Sequence, residues 1–349
     1  MRIVFATHDG VTLHRGGPYV KITNTHKSLE AIGVDVRYMN HWEVAQEFKN
    51  CDLVHLFGAN FAVYNLARNM KVDKVKFVVN PIFYTRRSAR VVRAITTVDK
   101  LTRKVMRGVW WDYGFTRDIC NWAELVLPNT IAEGEIISQG MGVPEEKFQV
   151  IHNGVSGEFI DADPTLFKKE YGLENFILTV GHMGPDRKNV LSLVRALSQI
   201  DHPAVFIGRK MHTGETFQIL KEAAQNKNLL ILDELPNHSP LLASAYAACD
   251  VFALPSKFET PGRAALEAAL AGAKIVITPH GGTKDYFEDM AEYVDPYSTE
   301  SIRKGIEKAL NAPKNPTLRE HIKNNFTWEK IALDTLEVYK RVLGVKREA

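Results

Sequence analysis

The stretch ACDVFALPSKFETPGRAALEAALAGAKIVITPHGG at positions 248–282 has two apolar, β-rich runs around an alanine-rich segment. The runs are DVFALP at 250–255 and KIVIT at 274–278, and the segment between them has the composition of a helix. A strand, a helix and a second strand in this order predict a parallel βαβ unit. The stretch therefore predicts an α/β domain.

Runs of the same kind recur along the chain before this stretch. They are RIVFAT (2–7), VDVRYM (34–39), DLVHLF (52–57), KFVVN (76–80), ELVLP (124–128), FILTVG (176–181), AVFIG (204–208) and LLILD (229–233). Short apolar runs separated by helical patterns are typical of parallel sheets that are covered on both faces. We therefore expect two doubly wound, Rossmann-like domains, with ligands bound beyond the carboxyl ends of the strands.

The domain boundary is predicted near residue 155, because VIHNGVSGEFIDADPT (150–165) is rich in Gly, Asn, Asp and Pro. The predicted domains are residues 1–155 and 156–325. Residues 326–349 are expected to form a terminal helix packed on a domain surface, since apolar residues recur there at helical spacing.

Composition excludes several classes of protein. The chain has 349 residues, of which 45% are hydrophobic and 24% charged, and its net charge is +3, as in ordinary soluble proteins. No apolar run is long enough to span a membrane, and MRIVFATHDG lacks the features of a signal peptide. Cys51, Cys120 and Cys249 form no disulfide framework or CxxC pair, which favours a reducing cytoplasm.

The start of the helix in the opening stretch predicts an anion site. Thr260 is a suitable N-cap and Pro261 a suitable first helical residue. The first free amides then belong to Gly262, Arg263 and Ala264, and the helix dipole adds to their attraction for a phosphate. Glycine also leaves room for a ligand to approach the backbone.

Two glutamates flank these amides. Glu259 precedes the helix, and Glu267 lies eight residues later, inside it. One carboxylate at each end of a sugar nucleotide would explain the spacing, with Glu259 on sugar hydroxyls and Glu267 on the ribose. Taken alone, the spacing also fits a capped helix with two solvated glutamates.

The stretch at 248–282 closely resembles the donor-binding segment of retaining glycosyltransferases of the GT-B fold, family 4 (glycosyl transferases group 1). The similarity extends to VLPNT (126–130), GVPEEKFQVIHNGV (142–155) and FTWEKIA (326–332). The resemblance implies two Rossmann-like domains that face each other across a cleft, with 1–155 on the acceptor side and 156–325 binding the nucleotide sugar. It also implies that the terminal helix within 326–349 crosses back to the first domain. It also implies transfer of a sugar from a nucleoside diphosphate, with no cofactor and no metal.

The resemblance implies roles for particular residues of this chain. Glu259 and Lys188 match the catalytic positions, and Gly16 and Gly17 match a loop that touches the donor diphosphate. The residues implied in donor binding are Gly16, Gly17, His182, Arg187, Lys188, Glu259, Thr260, Pro261, Gly262, Arg263, Ala264 and Glu267.

The chain departs from the family pattern at two places. His182 stands where the family has an arginine, and Arg187 is then expected to supply the second cation for the diphosphate. The segment VVNPIFYTRR (78–87) lacks the family's histidine, and neither Asn80 nor Tyr84 is assigned its place. A side-chain nucleophile is not assigned from the sequence. The resemblance implies that the departing phosphate helps to accept the proton of the acceptor hydroxyl.

Residues 68–107 contain twelve Lys and Arg residues against only Asp73 and Asp99. On a helix, one face would carry Arg86, Arg90, Arg93, Lys100, Lys104 and Arg107, and the other Val91, Ile95, Val98, Val105 and Met106. Arg86, Arg90 and Arg93 are candidates for contact with anionic membrane lipid or with a phosphorylated acceptor. The alternative is a solvated face whose apolar side packs inside the domain. Nucleic acid is not expected, because no recognition motif is present.

The sequence thus predicts a retaining hexosyl- or N-acetylhexosaminyltransferase, cytoplasmic or at the inner face of a membrane. Its expected acceptor is a hydroxyl of a glycan or of a lipid-linked saccharide. The alternatives are a nucleotide-sugar 2-epimerase and a non-catalytic sugar-nucleotide-binding protein of the same fold.

Overall fold

The structure is a computed structural model that describes residues 1–13, 16–106, 111–314 and 316–345. The chain forms two compact units. Unit 1 consists of Met1–Gly154 together with Trp328–Ala349, and unit 2 consists of Val155–Thr327. Each unit contains a parallel sheet with helices, so the predicted α/β class is confirmed.

Unit 1 has a four-stranded parallel sheet with the strand order β2-β1-β3-β4. The strands are β1 (Arg2–Ala6), β2 (Asp35–Tyr38), β3 (Leu53–Phe57) and β4 (Phe77–Asn80). The helices are α1 (Gly10–Leu13), α2 (Gly17–Ala31), α3 (Val44–Asn50), α4 (Phe61–Val72), α5 (Ala89–Val105), α6 (Asp112–Trp122), α7 (Ile131–Met141) and, at the end of the chain, α16 (Trp328–Leu343).

Unit 2 has a six-stranded parallel sheet with the strand order β10-β9-β8-β5-β6-β7. The strands are β5 (Ile177–Val180), β6 (Ala204–Ile207), β7 (Leu229–Leu232), β8 (Val251–Leu254), β9 (Lys274–Ile277) and β10 (Glu292–Tyr293). The helices are α8 (Thr165–Tyr171), α9 (Val190–Leu197), α10 (Gly214–Ala223), α11 (Pro240–Ala248), α12 (Arg263–Leu270), α13 (Thr283–Phe287), α14 (Thr299–Asn311) and α15 (Pro316–Phe326).

The sheet of unit 2 separates two hydrophobic cores. Leu178 and Phe252 belong to the core on one face, whereas their neighbours Ile177 and Val251 belong to the core on the other. Side chains alternate between the faces of a strand, so a strand that is buried on both faces is apolar throughout. This is the physical reason why continuous apolar runs located the strands.

The run at 124–128 is an exception, because it does not form a strand of the sheet. It contributes two isolated bridges, from Val126 to Val79 and from Val126 to Phe148. Its backbone hydrogen bonds are divided between β4 on one side and the segment near residue 148 on the other. The expected fifth strand of unit 1 is therefore reduced to single pairings.

Helix α16 packs on unit 1 next to α2. Trp328, Ile331 and Val338 are buried in the core that includes the first strand. The hydroxyl of Tyr339 lies 2.6 Å from Nδ1 of His55, which is buried on β3. A buried hydroxyl with a partner adds specificity to this apolar contact.

Helix α5 buries a different face from the one expected. Val92, Thr96 and Asp99 are its buried residues. The residues assigned to the packed apolar face are instead exposed or half-buried: Val91, Ile95, Val98, Val105 and Met106. The interpretation in which that apolar side packs inside the domain is therefore wrong. Arg86 precedes the helix, and Arg107 lies outside the described residues.

Candidate functional site

The strand order of unit 2 changes direction at β5. The chain proceeds outward from β5 to β6 and β7, and then returns to the other side of β5 with β8. At such a point the loops that follow the two central strands separate and leave a crevice beyond their carboxyl ends. The loop after β5 holds residues 181–189, and the loop after β8 holds residues 255–262. The donor-binding residues predicted in unit 2 lie on these two loops and in the first turns of α12.

Lys188, Arg187 and Glu259 form an ion cluster that joins the two loops. Nζ of Lys188 lies 2.7 Å from Oε1 of Glu259, and Nη1 of Arg187 lies 3.4 Å from the same oxygen. Only 8% of the Glu259 side chain is exposed. Burial raises the pKa of the Glu259 carboxyl, but the two cations outweigh burial and hold the pKa below its ordinary value. Glu259 is therefore a charged carboxylate at neutral pH.

A left-handed residue positions Lys188 at the end of its loop. Asn189 has a φ of 55°, which asparagine tolerates better than most residues, and α9 begins directly after it. The buried Nδ2 of Asn189 donates to the backbone oxygen of Pro255 at 2.9 Å. The amide of Lys257 donates to the backbone oxygen of Arg187 at 2.8 Å. These bonds fasten the β5 loop to the β8 loop.

A third loop, after β9, holds the backbone of Glu259. The amide of Glu259 donates to the oxygen of His280, and the amide of Gly282 donates to the oxygen of Glu259. Gly281 lies between these bonds with a φ of +105°. A Cβ at this position would lie 1.9 Å from the oxygen of Glu259, so the close approach requires glycine.

Helix α12 begins two residues later than the sequence predicts. It spans Arg263–Leu270, and its N-cap is Gly262 with a φ of 70°. Thr260 is therefore not the N-cap, and Pro261 is not the first helical residue. The Thr-Pro pair suits a turn as well as a helix start, and the left-handed glycine bends the chain between that pair and the helix.

The shift leaves the predicted free amides at the start of α12. Its first backbone bonds are donated by Ala265 and Leu266 to the oxygen of Gly262. In the described part of the chain, the amides of Arg263 and Ala264 have no hydrogen-bond acceptor. Two open donors at the positive end of a helix dipole form an arrangement that attracts an anion.

Glu267 lies one turn into α12 and already has two partners. The hydroxyl of Tyr246 donates to Oε2 of Glu267 at 2.8 Å, and Nε of Arg263 lies 3.4 Å from Oε1. Burial raises the pKa of the Glu267 carboxyl, and the charge of Arg263 only partly opposes this effect. The carboxyl is thus held in a fixed orientation beside the open amides.

The remaining predicted residues have simpler surroundings. His182 is exposed just after β5, and Thr260 and Pro261 are half-buried between Glu259 and α12. Gly16 and Gly17 belong to unit 1, where Gly16 is the N-cap of α2. Among the described residues, no atom lies within 4 Å of a Cβ built on Gly17.

Asn80 and Tyr84 are in contrasting positions in unit 1. The side chain of Asn80 is fully buried, and its Nδ2 donates to the oxygen of Leu127 at 2.5 Å. Tyr84 is 46% exposed. A buried amide that is bonded to the backbone supports the fold, so of these two residues only Tyr84 is accessible to a ligand.

The cluster, the glycine N-cap and the open amides together favour a ligand with several negative charges. Two cations share one carboxylate, so the cluster carries an excess of one positive charge, to which the helix adds a partial positive charge. Phosphate oxygens are the group that such donors bind best. The described residues include no group of three or more His, Cys, Asp or Glu side chains placed to hold a metal ion.

Comparison with known proteins agrees with this geometry. Residues 165–327, which lie within unit 2, match the family model of glycosyl transferases group 1. A glycosyltransferase from Rickettsia africae superposes with a TM-score of 0.76 at 17% identity, covering 99% of this chain and 98% of that one. The fold is GT-B.

Anabaena HepE in complex with UDP has the same GT-B architecture. Its TM-score is 0.70 at 17% identity, and the match covers 98% of this chain and all of that one. At such identities the likeness shows the fold alone.

Curated relatives match over part of their length. An uncharacterized glycosyltransferase of Methanocaldococcus jannaschii is 27% identical over 220 residues, covering 56% of this chain and 55% of the relative. The N-acetylgalactosamine-N,N'-diacetylbacillosaminyl-diphospho-undecaprenol 4-alpha-N-acetylgalactosaminyltransferase of Campylobacter jejuni is 25% identical over 227 residues, covering 63% of this chain and 59% of the relative. The chain thus spans somewhat more than half the length of these relatives.

Two contacts of the site were not predicted from the sequence. Tyr246 lies on α11, and nothing in its local sequence indicates that its hydroxyl meets Glu267. The role of the His280–Gly282 backbone was also missed, although the Gly-Gly pair after an apolar run was a visible signal. Such a pair marks a place where two backbones approach closely.

Proposed function

We propose that this protein is a retaining glycosyltransferase. It transfers a hexosyl or N-acetylhexosaminyl group from a nucleoside diphosphate sugar to a hydroxyl of a glycan or lipid-linked saccharide. The observation that carries the proposal is the ion cluster of Lys188, Arg187 and Glu259. Glu259 lies four residues before Arg263, the first of the open amides at the start of α12. This arrangement supplies both cations and amides for a diphosphate and a carboxylate for sugar hydroxyls.

The proposed binding mode uses each of these groups. The diphosphate accepts hydrogen bonds from the amides of Arg263 and Ala264 and attracts Lys188 and Arg187 away from part of their contact with Glu259. Glu259 then accepts hydrogen bonds from hydroxyls of the transferred sugar. Glu267, oriented by its two partners, accepts from the ribose. Gly16 and Gly17 are proposed as further contacts of the diphosphate, as the family resemblance implies.

In the proposed reaction, negative charge develops on the departing diphosphate. Lys188 and Arg187 stabilise that charge more strongly in the transition state than in the bound donor, which is the requirement for catalysis. An oxygen of the departing phosphate accepts the proton of the acceptor hydroxyl, which attacks the same face of the sugar. We propose that the side chains and the helix amides neutralise the diphosphate without a metal ion.

The names of related proteins support a nucleotide-sugar donor and a saccharide acceptor. Anabaena HepE is described in complex with UDP and with UDP-glucose. The Campylobacter jejuni relative is named for a diphospho-undecaprenol acceptor. These names favour transfer over the epimerase alternative. A cytoplasmic location is proposed because Cys51, Cys120 and Cys249 are all free thiols.

The first experiment identifies the donor. A panel of UDP-, GDP-, ADP- and dTDP-sugars is added to the full chain, and the unfolding temperature is measured, because a bound ligand stabilises the folded state. We expect one nucleotide class to raise it. No shift with any of these nucleotides, up to millimolar concentration, would contradict the proposed site.

The second experiment measures transfer with the donor so identified. Glu259→Ala and Lys188→Ala should each lower kcat by about 10²–10³-fold, as for the loss of one preorganised electrostatic contact. Lys168→Ala is a matched control, since Lys168 also lies 2.7 Å from a carboxylate, that of Glu174, but both side chains are more than half exposed. Full activity in the first two variants would refute the proposal.

NMR of the product distinguishes the remaining alternatives. Retention requires the anomeric configuration of the donor to persist in the product. Conversion of the nucleotide sugar without an acceptor would instead show an epimerase. Tight binding of the donor without turnover across a broad acceptor panel would show a non-catalytic binding protein.

A further inference from the structure

Helix α5 exposes an apolar stripe along its solvent side. At 100° per residue, the apolar residues fall within an arc of about 120° and extend over about 21 Å. They are Val91, Ala94, Ile95, Val98, Leu101 and Val105. The exposed fractions are 45% for Val98, 59% for Leu101 and 85% for Val105. A continuous row of exposed aliphatic side chains is unusual on the surface of a soluble protein.

Buried charges on the opposite side of α5 fix the rotation of the helix. Asp99 is completely buried, and its carboxylate lies 2.9 Å from Nε of Arg103 and 3.0 Å from Nη1 of Arg117. Arg103 also lies 2.6 Å from Asp118 of α6. Turning α5 so that the stripe packed inward would break these ion pairs around a buried carboxylate. The exposed stripe is therefore imposed by the fold.

The buried side of α5 has a second anchor. The hydroxyl of Thr96 donates to the backbone oxygen of Gly140 on α7 at 2.8 Å, and Val92 packs at the same place. A Cβ on Gly140 would lie 2.8 Å from Cγ1 of Val92, so the two helices are in close contact there. Contacts on this side hold the helix in place and leave the opposite side to the solvent.

Exposed cations flank the stripe. Asp99 is the only acidic residue of α5, and it faces inward. The exposed cations of the helix and of the segment before it are Arg86, Arg87, Arg90, Arg93, Lys100 and Lys104. An apolar stripe beside a cationic flank is complementary to a bilayer surface that bears anionic headgroups.

We propose that α5 is a membrane-binding helix that lies in the surface of an anionic bilayer. Its apolar stripe enters the acyl boundary, and its cations contact the headgroups. A second copy of the chain fits less well, because the cationic flanks of two copies would repel each other. Nucleic acid would use the cations but leave the aliphatic stripe in water. The proposal concerns a surface outside the sugar-transfer site and is independent of it.

Sedimentation of the full chain with vesicles tests the proposal. One set of vesicles contains phosphatidylglycerol and phosphatidylcholine, and the other contains phosphatidylcholine alone. We expect partition to the anionic vesicles that weakens at high salt. Leu101→Gln should reduce the partition coefficient about tenfold, and the pair Arg90→Glu with Lys104→Glu should reduce it about 25-fold.

Matched controls lie on other exposed helices of unit 1. Leu333→Gln removes a side chain that is 50% exposed on α16, and Lys27→Glu reverses an exposed charge on α2. Both should bind vesicles as the wild type does. Circular dichroism and an unchanged unfolding transition confirm that each variant folds.

Three results would overturn the proposal. The first is failure of the wild type to sediment with anionic vesicles. The second is equal sedimentation of Leu101→Gln and the wild type. The third is sedimentation-velocity data that show a dimer dissociated by Leu101→Gln without any vesicle binding, which would assign the stripe to a second copy of the chain.

Discussion

Replacing Lys188 with methionine leaves the buried carboxylate of Glu259 with one cation instead of two. The side chain of Glu259 is only 8% exposed, so water cannot replace the lost ammonium. A hydrogen bond to a charged group contributes about 1.5–3 kcal/mol, and Arg187 remains 3.4 Å from the carboxylate. We therefore expect a loss of about 2 kcal/mol in the free energy of unfolding. For a unit of this size that loss lowers Tm by about 6 °C.

The matched substitution is Lys168→Met, which breaks an ion pair of the same 2.7 Å length between exposed side chains. Its effect on the free energy of unfolding should stay within about 0.5 kcal/mol. Urea unfolding of both variants measures the difference. Combining Lys188→Met with Glu259→Gln should restore much of the stability, because the buried charge is removed together with its partner. Sugar transfer should nevertheless remain low.

Two results would refute this reasoning. One is an equal loss of stability in Lys188→Met and Lys168→Met, which would mean that solvent screens the Glu259 cluster as it screens a surface pair. The other is a double variant whose stability loss equals the sum of the losses of the single variants. Additivity would show that the two side chains do not interact in solution.

Four further predictions concern the same site. Gly281→Ala should destabilise the protein by more than about 3 kcal/mol in urea unfolding, since its Cβ would meet the oxygen of Glu259. Tyr246→Phe should cost about 1 kcal/mol in the same assay, and calorimetry should show weaker donor binding, because Glu267 loses a hydrogen bond. The depressed pKa of Glu259 stabilises the fold above the ordinary value of about 4.3, and this contribution is lost as pH falls through the folded-state pKa; Glu259→Gln should therefore flatten the stability profile in that acidic range. Sugar transfer should persist in excess EDTA, and its loss, restored by a divalent cation, would contradict neutralisation by side chains and amides alone.

The positions of the strands could be predicted because burial on both faces leaves a continuous apolar signature. The run at 124–128 has that signature but pairs only through Val126, because its backbone lies between two neighbours that each take part of its hydrogen bonds. The apolar composition of a segment indicates that it is buried, but it does not indicate which backbone groups it pairs with. The sequence therefore predicts the core better than it predicts the sheet edge.

The face of α5 could not be predicted for a related reason. Val91, Val98 and Val105 have helical spacing, but the buried residues Val92, Thr96 and Asp99 have it too. The choice between the two faces depends on Arg117, which lies on α6 and pairs with Asp99. Long-range ion pairs of this kind leave no periodic trace in the sequence.

The sequence indicated the part of the candidate site that depends on side chains and missed the part that depends on the backbone. Lys188 and Glu259 were identified, and the structure brings them together. The sequence predicted that the helix starts with Thr260 as N-cap and Pro261 as first residue. In the structure the N-cap of α12 is Gly262, in the left-handed conformation. A glycine gives no indication of its dihedral angle until the surrounding packing is known.

The most direct test of the proposed function is a crystal structure of the full chain with the nucleoside diphosphate that gives the largest thermal shift. We expect its β-phosphate within about 3 Å of the amides of Arg263 and Ala264, with Lys188 turned toward a phosphate oxygen. A nucleotide bound elsewhere, with those two amides still open and Lys188 still on Glu259, would contradict the central claim.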